Sequence, residues 1–327
     1  MSRNLFKSLI LLVFFFFFNF YVYAEQLRVG YGALGGTYLP LWVTDAVGLY
    51  KKYGLDVELV YIAGDSRITS AMLAGQTPIA GPGTSIVAAA VRGGDAVIIA
   101  TMVNTLPHYM MARPEIKTKQ DLKGKRVAIS TFGSASDLVT RMALEGLGLV
   151  PDRDVAIIQI GAIPQRFAAM EANVVQATVL TPPTNLLAEK MGFSTIVNVA
   201  ALGLKIPNSV VGTTRSFLKS HRDTARKFLM AYIEGIKVMK SDSDLSIKTL
   251  SKYSRVTDFV SLNEAYKVYA ETVPSRPYID LPSIQKVIDF YSRGGIQQRM
   301  LKPDDVVDMS LLQEIDRSGF IDSLYKK

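Results

Sequence analysis

The 327-residue chain contains no cysteine, which excludes disulfides, thiolate metal sites and lipid attachment through an N-terminal Cys. Its two histidines, His108 and His221, are too few for a multi-histidine metal site. His108 follows Pro107, and its expected role is a local hydrogen bond. There is no G-x-S-x-G elbow and no P-loop, and Ser134 has no candidate base beside it in sequence. Beyond the first two dozen residues no apolar run is long enough to span a bilayer. Tandem repeats and low-complexity tracts are also missing.

What is present begins with a basic start at Arg3 and Lys7, an apolar stretch over 9–18, and Val22, Tyr23 and Ala24 as a cleavage site. This is the pattern of a secretion signal over 1–24. Its apolar core of about ten residues falls short of the roughly 20 that span a membrane. The expected mature chain starts at Glu25 and is periplasmic and not a lipoprotein; an uncleaved anchor is the alternative. Losing Arg3 and Lys7 lowers the formal charge from +8 to +6. The remaining Lys and Arg are dispersed and lack aromatic interleaving, so nucleic acid is not an expected partner.

Roughly 300 mature residues allow two domains, each with its own core. Strands are expected over 26–30, 56–62, 77–80 and 96–102, separated by helices over 38–46, 67–74 and 85–92. At Pro107 this rhythm gives way to an extended connection over 108–112. A second unit follows, with strands over 126–130, 155–160 and 177–180 and helices over 135–147, 164–173 and 183–191. The segment 209–214 reads as a return crossing. Helices over 223–239, 262–271, 283–293 and 311–318 then pack on the first unit. The fold class is α/β, with right-handed crossovers feeding mainly parallel sheets. The expected domains are 25–107 with 210–327, and 108–209, hinged at two crossings.

Ligands of open parallel sheets sit beyond the carboxyl ends of the strands. Those ends carry Gly35, Gly36, Thr37 and Tyr38; Gly81, Pro82, Gly83, Thr84 and Ser85; Asn104; and Thr131 to Asp137. Hydroxyls and free N–H groups there suit an oxyanion, although Thr84, Ser85, Ser134 and Ser136 equally suit helix capping. Tyr38 and Trp42 offer rings for stacking, with Trp42 equally placed for the core. Arg166 could pair with a carboxylate or lie in solvent. Gly30, Gly32 and Gly35 spell G-x-G-x-x-G, but Asp56 and Glu58 lie at the start of the second strand, where a dinucleotide site needs its acid at the end. The acidic pairs Asp242 with Asp244 and Asp304 with Asp305 fit helix N-termini.

The run Gly36 to Trp42, then Gly48 to Val57, resembles the solute-binding proteins of nitrate, sulfonate and taurine importers and their pyrimidine-precursor-binding relatives. Leu73, Ala74 and Gly75, Asp121 to Lys125, and the loop Phe132, Gly133, Ser134, Ala135 and Ser136 extend the likeness over nearly all of the mature chain. The resemblance implies a two-lobed periplasmic-binding-protein type II fold with C-terminal helices. It further implies a small-molecule ligand, an ABC permease at the inner membrane as partner, a monomer and no cofactor. By loop position, Thr37, Tyr38, Thr84, Ser85, Asn104, Gly133, Ser134 and Thr181 line the cleft. The expected cargo is a small organic anion or a heteroaromatic compound. Pyrimidine-synthesising enzymes of the same fold carry a Cys-rich motif that this chain lacks, so the expectation is not an enzyme. Such an enzyme, and the ligand-binding module of a membrane sensor, remain the alternatives.

Overall fold

The computed structural model describes residues 25–202, 206–292 and 301–326, so the secretion signal expected over 1–24 lies outside the described residues. Ten strands follow in chain order: β1 Glu25–Tyr31, β2 Leu55–Tyr61, β3 Ile79–Gly81, β4 Ala96–Val103, β5 Tyr109–Ala112, β6 Arg126–Ile129, β7 Ala156–Gln159, β8 Ala177–Leu180, β9 Ser194–Asn198 and β10 Ser209–Thr214. They form two five-stranded sheets, ordered β2-β1-β3-β10-β4 and β7-β6-β8-β5-β9. The fold is the expected α/β one, and both sheets follow one plan. Three parallel strands occupy one side of each, and an antiparallel strand takes the fourth place: β10 in the first sheet, β5 in the second.

The sheets are mainly parallel, as expected, and those fourth strands are the exceptions that the sequence pattern did not supply. Segment 109–112, read as a connection, is β5, which pairs antiparallel with both β8 and β9. Segment 209–214, read as a crossing, is β10, inserted between β3 and β4. Neither β9 nor the helix Ser243–Ser254 is anticipated by the sequence pattern. By contrast β4 is buried along its whole length, as expected for a continuous apolar run covered on both faces.

The helix Leu39–Ala46 is apolar nearly all round because it lies between the first sheet and the 20-residue helix Arg222–Ser241. Gly235 faces Thr44 so closely that a Cβ there would collide with the threonine side chain. Trp42 is wholly buried in this layer, its ring stacked on Tyr253 with centroids 4.7 Å apart. It belongs to the core, and stacking on a ligand is not its role. Asp242 caps the helix Ser243–Ser254 by accepting from Leu245 N at 3.0 Å, the N-terminal role expected of it. The helix Leu281–Ser292 packs on the helix Ser85–Val91, and its Tyr291 reaches both units: Thr84 Oγ1 at 2.9 Å and Gly133 O at 3.3 Å.

Candidate functional site

The loops after β1, β2 and β3 face the loops after β6, β7 and β8 across a cavity of about 70 Å³. Its walls hold charged groups that the local sequence places with care. After β7, Gln165 turns back to accept from Ala162 N at 2.7 Å and starts the helix Ile163–Glu171. The next residue, Arg166, is thereby aimed inward and is 4% exposed. Its guanidinium donates to Thr178 Oγ1 at 3.0 Å, Gly161 O at 2.9 Å and Val179 O at 3.0 Å. Among the described residues no carboxylate forms an ion pair with it. Burial pushes its pKa down to about 10, so it is still a cation at neutral pH.

Two neutral groups stand in the same wall. His108, 6% exposed, holds its place through backbone bonds to Leu106 and Val199, while its ring Nδ1 has no partner. The local side-chain hydrogen bond expected of His108 is therefore not formed at Nδ1. Burial, helped by the Arg166 charge, lowers its pKa to about 3. Thr181, after β8, also lines the cavity with its Oγ1 unpartnered.

The first unit contributes Asp65. Gly64, at φ 105°, turns the chain after β2 so that Asp65 opens the helix Asp65–Leu73. Its Oδ1 accepts from Gly83 N, and its Oδ2 from Ser85 N at 3.3 Å and Ala135 N at 2.9 Å. Gly83 and Ser85 follow β3, whereas Ala135 is the first residue of the helix Ala135–Gly146 in the second unit. One carboxylate thus ties both halves together. Burial raises its pKa and these hydrogen bonds oppose the rise. Tyr38 donates to Gly81 O at 2.8 Å, and burial raises its pKa too, keeping it a neutral donor.

Of the residues implied by loop position, Thr37, Tyr38 and Thr181 line this cavity. The other five are not among its lining residues. Thr84 bonds Tyr291, and Ser85 bonds Thr69 Oγ1 at 2.6 Å and Asp65 O at 3.0 Å. Asn104 donates to Tyr278 O at 3.1 Å, and Gly133 N donates to Asp137 at 2.8 Å. Ser134 is fully buried, caps the helix Ala135–Gly146, and shares a hydroxyl cluster with Ser130 and Ser136. Sequence reasoning passed over Asp65, Asn208 and Ser209, all of which line the cavity. Asp65 had a signal: an acid just past the second strand, where only its start was considered. The small volume leaves no room for a dinucleotide. Among the described residues no group of three His, Asp or Glu could hold a metal ion.

The two halves also touch outside the cavity. Tyr269 Oη donates to Pro182 O at 3.0 Å, Ser66 Oγ to Phe132 O at 3.2 Å, and Lys190 pairs with Asp258 at 2.5 Å. Gly83 lets the backbones meet, since a Cβ there would lie 2.9 Å from the Ala135 Cβ.

Residues 37–244 match the NMT1/THI5 like family. A putative binding protein, YtlA of Bacillus subtilis strain 168, is 30% identical over 205 residues, 59% of this chain and 60% of that protein. The chain thus matches about three fifths of YtlA's length. A putative ABC transporter periplasmic binding protein of Brachyspira hyodysenteriae is 22% identical over 291 residues, 81% of this chain and 82% of that one. The alkanesulfonate-binding protein SsuA of Xanthomonas axonopodis pv. citri superposes with a TM-score of 0.72 at 18% identity, covering 87% of this chain and 98% of that structure. The match over residues 37–244, on two sheets that follow one strand plan, places the chain in the NMT1/THI5 like family, with the periplasmic-binding-protein fold.

Proposed function

We propose that this protein is an extracytoplasmic solute receptor that closes on a small anion and presents it to an ABC permease. The observation that carries this reading is Arg166, a buried cation in an inter-sheet cavity that forms no ion pair with a carboxylate among the described residues. A buried charge without a partner costs several kcal/mol, and a charge-assisted bond to an anionic solute offsets that cost. The moving units are 25–107 with 210–327, and 108–209. The solute shifts them toward the closed form through contacts made only there. The names of the Brachyspira relative and of the alkanesulfonate-binding neighbour agree with such a role. The protein acts as a monomer beyond the inner membrane, without a cofactor and without turnover. The Ser130, Ser134 and Ser136 hydroxyls bond one another, and among the described residues none of them bonds a histidine or carboxylate side chain, which favours a binder over an enzyme.

Volume narrows the cargo. An apolar cavity of about 150 Å³ takes benzene, and this one is about half that size. A compact anion therefore fits the closed form, and a heteroaromatic ring needs the halves further apart.

Thermal unfolding of the chain from Glu25 against nitrate, short sulfonates, short carboxylates and aminopyrimidines tests the reading. A ligand at one hundred times its Kd adds about 2.7 kcal/mol and moves the midpoint by about 5 °C or more. Arg166→Met should remove that shift. No shift with any compound, in protein shown by mass spectrometry to be ligand-free, would sink the receptor reading.

A further inference from the structure

Two helices that follow β10 belong to the first unit, and each extends a phenol hydroxyl to the second. Tyr269, on the helix Phe259–Thr272, is fully buried, and its Oη donates to Pro182 O at 3.0 Å. Tyr291, on the helix Leu281–Ser292, has its Oη 3.3 Å from Gly133 O and 2.9 Å from Thr84 Oγ1. A carbonyl only accepts, so Tyr291 gives its single proton to Gly133 and accepts from Thr84. Burial raises the pKa of both phenols, against the opposing pull of Thr181 on Tyr269 and of Thr84 on Tyr291, so both are neutral donors at neutral pH.

The two carbonyls occupy matching places, Gly133 after β6 and Pro182 after β8. Pro182 O also accepts from Gly36 N at 3.4 Å, and a Cβ at Gly36 would collide with the Tyr269 ring. Neither tyrosine lines the cavity, nor do Gly133 and Pro182.

We infer that Tyr269 and Tyr291 are positioning residues for closure, setting how strongly the units favour the closed form before any solute binds. This rests on the proposed movement of 25–107 with 210–327 against 108–209. Parting the units breaks both bonds, and a buried hydrogen bond of this kind is worth a factor of about five. The affinity of every cargo is then scaled by one closing equilibrium, whatever its chemistry at Arg166.

A third tyrosine supplies the control. Tyr232 Oη donates to Thr101 O at 3.0 Å and is also buried, but both partners lie in the first unit. Replacing it by Phe removes a comparable bond away from the seam between the units.

The chain has no cysteine, so Val47→Cys and Val174→Cys, exposed positions with one in each unit, give a clean spin-label pair. Pulsed dipolar spectroscopy of the solute-free mature chain should resolve a closed and an open distance. Tyr269→Phe and Tyr291→Phe should each raise the open-to-closed ratio about fivefold. Combined, the two factors should multiply, since the bonds share no partner. Tyr232→Phe should lower the unfolding midpoint and leave the ratio within about twofold. Should the double variant fail to fold, the single variants decide. A ratio unchanged in Tyr269→Phe and Tyr291→Phe, or raised equally in Tyr232→Phe, overturns the inference and leaves closure itself standing. A single distance shared by the wild type and every variant removes the closure as well.

Discussion

His108 shows how one buried side chain couples the cleft to pH. Its pKa of about 3 in the folded protein lies far below the ordinary 6.5. Between those values the unfolded chain binds a proton that the folded chain refuses. Stability is therefore lost as pH falls, by about 1.4 kcal/mol per unit from this one group. Asp65 pulls the other way, because its raised pKa lets the folded form take up a proton first. Chemical denaturation between pH 4 and 7 should show a shallower acid limb in His108→Gln than in the wild type. Identical slopes would mean that His108 is protonated in the fold. The same neutrality makes binding of an anion insensitive to this histidine from pH 5 to 8, leaving Arg166 as its source of positive charge.

At the scale of elements, what could be read in the sequence follows from where each element gets its partners. The strand β4 and the helix Arg222–Ser241 carry their burial pattern in consecutive residues, so they are legible locally. The strand β5 is not, since Tyr-Met-Met-Ala has no β-branched residue and becomes a strand only through β8 and β9. The site divides the same way. Loops at strand ends announced themselves, and Thr37, Tyr38 and Thr181 indeed face the cavity. Asp65 acquires its meaning from Gly83 and Ala135, which are remote in sequence, and Arg166 from its lack of an ion pair among the described residues, which no local pattern encodes. Ser134 illustrates the converse: a hydroxyl in the right loop that serves its own helix. Ser134→Ala should cost about 1 kcal/mol of stability through the lost cap. Solute affinity should change by less than about threefold, because the side chain is outside the cavity. A larger loss of affinity without loss of stability, measured by calorimetry and denaturation together, would put that hydroxyl on the ligand.

For the whole molecule, the decisive geometry is how closely the halves approach. Gly83 stands where a methyl group would meet Asp65 Oδ2 at 2.8 Å, the Ala135 methyl at 2.9 Å and the Asn208 carbonyl at 3.0 Å. The last two have no rotatable bond to relieve the contact. Under the proposed closure, Gly83→Ala should therefore fold and yet close poorly, with affinity down by about tenfold or more. Small-angle scattering with saturating solute should give a larger radius for the variant than for the wild type. Equal radii and equal affinity would mean that the halves do not need this contact.

The placement of the single tryptophan has a practical consequence. Trp42 lies 6.1 Å from Tyr38, whose ring forms part of the cavity wall, and stacks on Tyr253 on its other side. All indole emission of the chain thus originates one residue away from the cavity, inside a buried aromatic layer. Evolution has left the protein with an intrinsic optical probe, so occupancy can be followed by fluorescence in real time, without a label and without a second tryptophan to dilute the signal.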